Sequence, residues 1–302
     1  MPVEVVVLGS ANLDVVLQVE AIPAPGETVL ATGRIGHPGG KGLNQAVAAA
    51  RSGARTAFVG ALGSEDDAEQ LVSALRDARI DTSAVRRVTG PSGAAFVVVQ
   101  ASGENAIVVD PGANASLTSL DAAGRAVVGD CRLILAQLEI PLAVVMEAAQ
   151  VARANGATFV LNAAPAQPLP PELLALVDVL VVNEHEAMAL TGATDPAAAI
   201  QALADPARDV VVTLGARGAV HVDRDGTSTL TAAPPVRAAD TTGAGDAFVG
   251  ALGAALAAGA PFPEAVRRAV TAGSLAVEVP GGVPSMPTYE KIIERLDSRD
   301  AR

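Results

Sequence analysis

The stretch DTTGAGDAF, residues 240–248, sets two carboxylates, Asp240 and Asp246, on either side of a glycine-rich turn that runs into VGALGAALAAG, a helical pattern. A helix N-terminus presents unpaired N–H groups and a partial positive charge, so Gly243, Ala244 and Gly245 are suited to hold the oxygens of a phosphoryl group. Asp246 falls in the first helical turn, where the dipole favours a negative charge by about 0.3–1 kcal/mol. This predicts a pKa lowered by up to roughly 0.7 unit and a side chain ionised at pH 7. The amides would grip the group in transfer, and the acid would take the proton of the hydroxyl that attacks it. Phosphoryl transfer has a loose transition state, so a weak but well-placed acceptor is enough. An acid in a first helical turn is also a common stabilising feature with no chemistry attached. Asp240 lies outside the helix and reads as having a separate task.

A second constellation is GHPGGKGLNQA, residues 36–46, a glycine-rich turn leading into a helix with Lys41, Asn44 and Gln45 on its first turn. Its backbone can approach a ligand closely. Gly42 follows the lysine where a Walker A loop requires Ser or Thr, and the dinucleotide fingerprint G-x-G-x-x-G is absent. HEAMA, residues 185–189, lacks the second histidine of a zinc helix, and His37 and His221 have no neighbouring ligand set in sequence. The lone Cys131 excludes an intrachain disulfide and is consistent with a reducing, cytoplasmic setting.

The elements that must position these residues follow from hydrophobic patterning. VEVVVLG, RTAFVG, RLILAQLE, ATFVLN, DVLVVN and DVVVTLG read as strands buried on both faces, as in a parallel sheet. KGLNQAVAAARS, AEQLVSALRDA, LAVVMEAAQVARANG and EHEAMALTG alternate with them at helical spacing. This predicts an α/β fold with a doubly wound, mostly parallel sheet flanked by helices, in a single domain over 1–302. Two strand-rich segments, about 13–37 and 93–111, break the alternation and predict a small separate sheet. Ligands of such sheets bind beyond the carboxyl ends of the strands. Ser10, Asn12, Asp14, Glu139, Asn162, Asn183, Glu186 and Thr213 all follow strands there, either as ligands or as caps of the next helix.

With these motifs the chain resembles the ribokinase family of ATP-dependent sugar kinases over nearly its whole length. GGKGLNQA and DTTGAGDAF match the two family signatures, supported by GSANLD, QLE, LNAAPA, NEHE, TLGARG and GGVPSMP. The resemblance implies that Asn12, Asp14, Gly40, Lys41, Asn44 and Glu139 contact the sugar, with Asp246 as base and Gly243, Ala244 and Gly245 as anion hole. It implies that Asn183 and Glu186 organise magnesium and the phosphates of ATP through water, and that Thr213, Leu214, Gly215, Ala216, Arg217 and Gly218 border the nucleotide. Asp240, Thr242, Ala276, Val279, Gly281 and Ser285 would form a potassium site, and the small sheet a lid that pairs with that of a second copy. The pattern departs at Leu43, at Ala163 and around EVPGG.

The expected reaction is transfer of the γ-phosphoryl of ATP to the primary hydroxyl of ribose. Kinases of deoxyribose, other neutral sugars or nucleosides are the alternatives, and a non-catalytic sensor on the same fold is a further one. A nucleoside would favour aromatic stacking, for which the small sheet offers only Phe96. Carboxylates at Asp14 and Glu139 suit neutral vicinal hydroxyls and repel a sugar phosphate. A net charge of −12 with no basic run argues against nucleic acid and acidic membrane surfaces as partners.

Overall fold

The structure is a computed structural model and describes residues 2–205 and 208–300. The apolar runs form strands in a 9-stranded sheet. In chain order its members are β1 (Val5–Leu8), β4 (Thr56–Leu62), β5 (Val85–Arg87), β8 (Leu133–Ala136), β9 (Thr158–Asn162), β10 (Val179–Asn183), β11 (Asp209–Thr213), β12 (Ala219–Val222) and β13 (Ser228–Thr231). The remaining four, β2 (Asn12–Val19), β3 (Gly33–Gly39), β6 (Gly93–Gln100) and β7 (Asn105–Asp110), make a separate sheet. The large sheet runs β13-β12-β11-β10-β9-β8-β1-β4-β5 and is parallel except for the β11-β12-β13 edge. That antiparallel edge was not expected from the sequence. Its strands are short, and β13 is polar and exposed, so no apolar run marks it.

The helices are α1 (Lys41–Arg51), α2 (Asp66–Asp77), α3 (Ala122–Gly129), α4 (Leu142–Asn155), α5 (Pro171–Leu174), α6 (Glu184–Thr191), α7 (Pro196–Leu203), α8 (Ala244–Ala257), α9 (Phe262–Ala276), α10 (Gly282–Ser285) and α11 (Tyr289–Asp300). In β1, Val5 and Val7 join one hydrophobic cluster with Leu43, Leu71, Leu252 and Val266 of α1, α2, α8 and α9. Val6 and Leu8 join the other, with Val128, Val144, Ala187 and Ala199 of α3, α4, α6 and α7. Alternate side chains of one strand are thus buried on opposite faces, which is why the strand reads as an unbroken apolar run. Leu43, the departure in the first signature, is fully buried in the first cluster and does not line the cleft described below.

Two close approaches set the geometry of the cleft. A Cβ on Gly42 would lie 2.6 Å from the backbone of Gly9 and Ser10, so the first turn of α1 sits directly on the end of β1. A Cβ on Gly250 would lie 2.4 Å from the Cβ of Ala48 and 2.7 Å from the carbonyl oxygen of Gln45, so α8 crosses α1 at backbone contact. Small side chains at this crossing bring the N-terminal turns of the two helices together at the carboxyl rim of the sheet.

The second sheet has the order β3-β2-β6-β7 and grows out of the same rim. Asn12 and Asp14 alternate along β2 and therefore share a face. Further out, Ile35, Phe96, Ile107, Val108 and Val109 are exposed. Among the described residues no helix is long and apolar enough to cross a membrane.

Candidate active site

Asp246 stands in the first turn of α8 and is only 9% exposed. Its Oδ2 accepts from Asn44 Nδ2 at 3.0 Å and its Oδ1 from Gln45 Nε2 at 2.9 Å. Burial pushes its pKa up, opposed by the charge of Lys41 and by the hydrogen bonds from Gln45 and Asn44, while Glu139 adds to the rise; the net direction is upward. This corrects the lowering expected from the helix dipole. The dipole is a local effect of fractions of a kcal/mol, whereas loss of water around a carboxylate acts with several times that strength. A raised pKa also makes the group a better proton acceptor, closer to the working pH.

Gly243 caps α8 with a left-handed φ of 76°. The Ala244 N–H is drawn to the Thr241 carbonyl at 3.3 Å. The N–H groups of Gly245 and Asp246 sit in the first turn, where the helix supplies no acceptor. Nothing lies within 4 Å of where a Cβ on Gly245 would be, so that amide is approachable from the cleft.

Facing it from α1 is Lys41, in which burial works to lower the pKa but the carboxylates of Asp246, Glu139 and Glu186 outweigh it and hold the ammonium above its ordinary value. Glu139 Oε2 accepts from Ser10 Oγ at 2.5 Å and from the Lys41 N–H at 3.0 Å, so it anchors the N-terminus of α1 to the end of β1. Asp14 makes no hydrogen bond among the described residues. Burial, with the nearby charges of Glu139 and Asp246, pushes its pKa up to about 7. His37, for which the sequence showed no partner, pairs with Asp14 across β2 and β3; its Nδ1 is 4.0 Å from Asp14 Oδ2 and has no hydrogen-bond partner. Asn12 is buried and its Oδ1 accepts from Asn114 Nδ2 at 2.7 Å.

Two cavities adjoin at the start of α8. The first, about 250 Å³, is lined by Lys41, Asn162, Asn183, Glu186, Thr213, Thr241, Gly243, Gly245 and Asp246 among others. Asn183 and Glu186 form a reciprocal capping box at the start of α6, each accepting the other's N–H at 2.8 Å, and also face this cavity. The two sequence readings of these residues, cap or ligand, are therefore compatible. Burial raises the Glu186 pKa, partly offset by the Asn183 N–H and Lys41.

The second cavity, about 340 Å³ and largely apolar, shares Thr213, Thr241 and Gly245 with the first. Its further walls are Gly215, Ala216, Gly218, the 233–238 segment, Phe248, Val270, Gly273, Ser274 and Val277. Leu214 and Arg217, which the family resemblance places beside the nucleotide, are not among its lining residues. Leu214 packs into the core and Arg217 pairs with Glu184 at the surface. A 3₁₀ turn at Gly215–Arg217 directs these side chains away from the cavity.

Asp240 ties two loops together. Its Oδ1 accepts from the Thr242 N–H at 2.9 Å and Oγ1 at 2.7 Å, and its Oδ2 from the Gly281 N–H at 2.8 Å. Burial acts to raise its pKa, but these hydrogen bonds outweigh it and hold the carboxyl below its ordinary value. The Ala276 carbonyl accepts from the Val279 N–H at 3.1 Å, and Ser285 Oγ donates to the Gly282 carbonyl at 2.8 Å. Gly282 also packs against Gly243 and against the Asn44 amide. The 281–285 loop thus touches both the open helix end and a hydrogen-bond donor to Asp246.

Sequence reasoning did not assign the supports behind these groups. Asn114 and the cavity-lining residues of 233–238 and Val270, Gly273, Ser274 and Val277 carried no signal of their own, and Gln137 appeared only within the QLE match without a task, because their significance depends on what the fold brings opposite them. Gln45 and Asn162 were visible as polar residues on the rim but had no assigned task.

A buried carboxylate beside approachable helix-end amides and a lysine, between a polar face and an apolar cavity, is the site of a phosphotransferase acting on a hydroxyl. The chain belongs to the pfkB family of carbohydrate kinases, whose description, "pfkB family carbohydrate kinase", it matches over residues 3–289. It is 40% identical over 301 residues to the ribokinase of Haemophilus influenzae, covering 96% of this chain and 97% of that protein. The structure of Arabidopsis thaliana ribokinase complexed with ribose and ATP is similar with a TM-score of 0.90 at 32% identity, covering 97% of this chain and 98% of that one. Phosphofructokinase-2 from Escherichia coli in complex with potassium is similar with a TM-score of 0.77 at 25% identity, covering 99% of this chain and 100% of that one.

Proposed function

We propose that this chain transfers the γ-phosphoryl of ATP to the primary 5-hydroxyl of D-ribose, giving ribose 5-phosphate and ADP. The observation that carries the reading is the position of Asp246, buried at the mouth of α8 next to the Gly245 amide, with the Asp14 face of the small sheet nearby. Ribose lies against Asn12, Asp14, Gly40, Lys41, Asn44 and Glu139. The adenosine of ATP occupies the apolar cavity, and its phosphates run through the polar one toward Gly245. Asp246 accepts the proton of the attacking hydroxyl as the Gly243–Gly245 turn and Lys41 stabilise charge on the group in transit.

A magnesium ion bound with the nucleotide supplies neutralisation of the phosphate charge. Among the described residues no group of three or more His, Cys, Asp or Glu side chains could cage a metal. That suits an ion whose shell is mostly water and phosphate, and Glu186, with one carboxylate oxygen outside its capping box, and Asn183 would hold it through water. Asp240, Thr242, Ala276, Val279, Gly281 and Ser285 offer one carboxylate, carbonyls and hydroxyls, an all-oxygen donor set that fits a hard monovalent cation such as potassium. Its charge would stiffen the loop that packs on Gly243. The small sheet acts as a lid over the sugar, and its exposed Ile35, Ile107 and Val109, which the register places on the face of Asp14, pair with the same sheet of a second copy.

The discriminating experiment is ADP release across ribose, deoxyribose, fructose and nucleosides, with and without potassium. Ribose is expected to give the highest kcat/KM. Turnover confined to nucleosides would overturn the ribose reading and leave the kinase reading standing.

Asp14 gives a test of the sugar face. Its ordinary pKa of 3.8 is raised to about 7 in the fold, so the folded protein holds this proton where the unfolded chain has lost it. Stability from this group is full below the ordinary value and is lost as pH rises through about 7. The ionised form is the one that accepts hydrogen bonds from sugar hydroxyls. The KM for ribose should therefore fall between pH 6 and pH 8. Asp14→Asn should abolish that dependence, raise KM by about tenfold or more, and raise the thermal midpoint of the ligand-free protein at pH 8. Enzyme kinetics and thermal melts at both pH values check the pair of effects.

A further inference from the structure

Behind Asp246 lies a chain of three amides, of which Asn162 lines the polar cavity while Gln45 and Gln137 line neither cavity. Gln137, in the turn after β8, donates from Nε2 to Gln45 Oε1 at 2.6 Å. Gln45 donates from Nε2 to Asp246 Oδ1 at 2.9 Å and to Asn162 Oδ1 at 2.9 Å. Asn162, at the end of β9, donates from Nδ2 to the Val181 carbonyl of β10 at 3.1 Å. Gln45 and Gln137 are both 0% exposed.

The directions of these bonds are fixed by the inventory of each group. An amide has one face that accepts and one that donates; Gln137 Oε1 is buried without a partner among the described residues, so it is the Asp246 carboxylate, able only to accept, that fixes Gln45 and turns its Oε1 toward Gln137 Nε2. The Gln45 NH₂ thereby faces Asp246 and Asn162 Oδ1, both acceptors. Asn162 is held in the complementary sense by the Val181 carbonyl, which accepts only. A reversed Gln45 would set an acceptor against a carboxylate and a donor against a donor, leaving buried groups unpaired.

Resting on the kinase reading above, we infer that Gln137, Gln45 and Asn162 form an amide relay that positions the base, locking one N–H onto Asp246 Oδ1 so that the carboxylate is held ionised and oriented toward the cleft. None of the three transfers a proton; they are positioning residues. They connect β8, α1, β9 and β10 to the first turn of α8, so the orientation of Asp246 is set from the sheet. The groups facing Asp246 from other elements are Lys41 of α1, Glu139 after β8, Asp14 of β2 and Glu186 of α6. Of these, Asp14 belongs to the sugar face, so its titration enters KM, and kcat at saturating sugar isolates the base.

The test is the pH profile of kcat for Gln45→Met and Gln137→Met beside the unaltered enzyme. Gln45→Met keeps length and volume but removes the donor, which disfavours the charged carboxylate. The acid limb should move upward by about one unit, lowering kcat up to about tenfold on the acid side of the limb and leaving kcat on the alkaline plateau within about threefold, with ribose KM little changed. Gln137→Met touches Gln45 but not Asp246 itself and should shift the limb in the same direction by less. A drop in kcat equal at all pH values, or an unmoved limb in both variants, overturns the relay while the kinase function stands. If Gln45→Met does not fold, the limb of Gln137→Met decides. If the unaltered enzyme turns over no neutral sugar, the function has failed instead. The relay is then judged by ¹³C NMR titration of the Asp246 carboxyl, assigned by its loss in Asp246→Asn, in which an unchanged midpoint in the variants overturns it.

Discussion

Asp246→Asn is expected to lower kcat by at least about 10²-fold while leaving ribose affinity nearly intact, the signature of a lost general base. The substitution keeps the shape of the side chain and its neighbours on α1. It removes the carboxylate in the first turn of α8, the group proposed to take the proton of the attacking hydroxyl. The cost to folding is mixed. Asn44 and Gln45 both donate to the carboxylate, so one of them must face the new NH₂ group. Against this, a buried carboxylate with a raised pKa loses stability as pH rises through its folded value, and the neutral amide does not. The variant should therefore melt closer to the unaltered protein, or above it, on the alkaline side of the acid limb of kcat than on its acid side. ADP release, calorimetric titration with ribose and melts on both sides of that limb separate the three effects. Undiminished turnover would remove Asp246 from the role of base.

The main sheet was legible wherever burial on both faces wrote itself as an apolar run, as in β1 and β8 through β11. The edge hairpin β12-β13 was not, because an edge strand with one solvated face and a charged turn at Asp223–Gly226 has no such run. In the site, residues whose type implies chemistry stood out: Asp246, Lys41, Asp14, the paired glycines. What escaped was everything set by long-range packing. Gln45 and Asp246 are far apart in sequence and meet only because Gly250 lets α8 lie on α1. The direction of the Asp246 pKa escaped for the same reason, since a dipole can be read from local sequence and burial cannot. Within the TLGARG run the sequence also could not tell Thr213, Gly215, Ala216 and Gly218, which line the apolar cavity, from Leu214, which packs into the core, and Arg217, which pairs with Glu184.

Gly245→Val separates the phosphate site from the fold more cleanly than any change to a charged residue. Gly245 is the second residue of α8, and the space where its Cβ would sit is empty to 4 Å. The helix therefore accepts a side chain there, and replacing a helical glycine recovers part of the roughly 0.5–1 kcal/mol that glycine costs relative to alanine. The thermal midpoint should hold or rise. The valine methyls, however, project into the junction shared by the two cavities, beside the amide that must meet the transferred group. Blocking one such donor costs about 10²–10³-fold in turnover, and steric exclusion of the terminal phosphate adds a rise in the KM for ATP. Ribose binding, proposed to use the face of Asp14 and Asn12, should change little. Calorimetry with ribose, kinetics with ATP and a thermal melt on one preparation check all three. A stable variant with normal ATP kinetics would place the terminal phosphate away from the mouth of α8 and would take the anion hole with it.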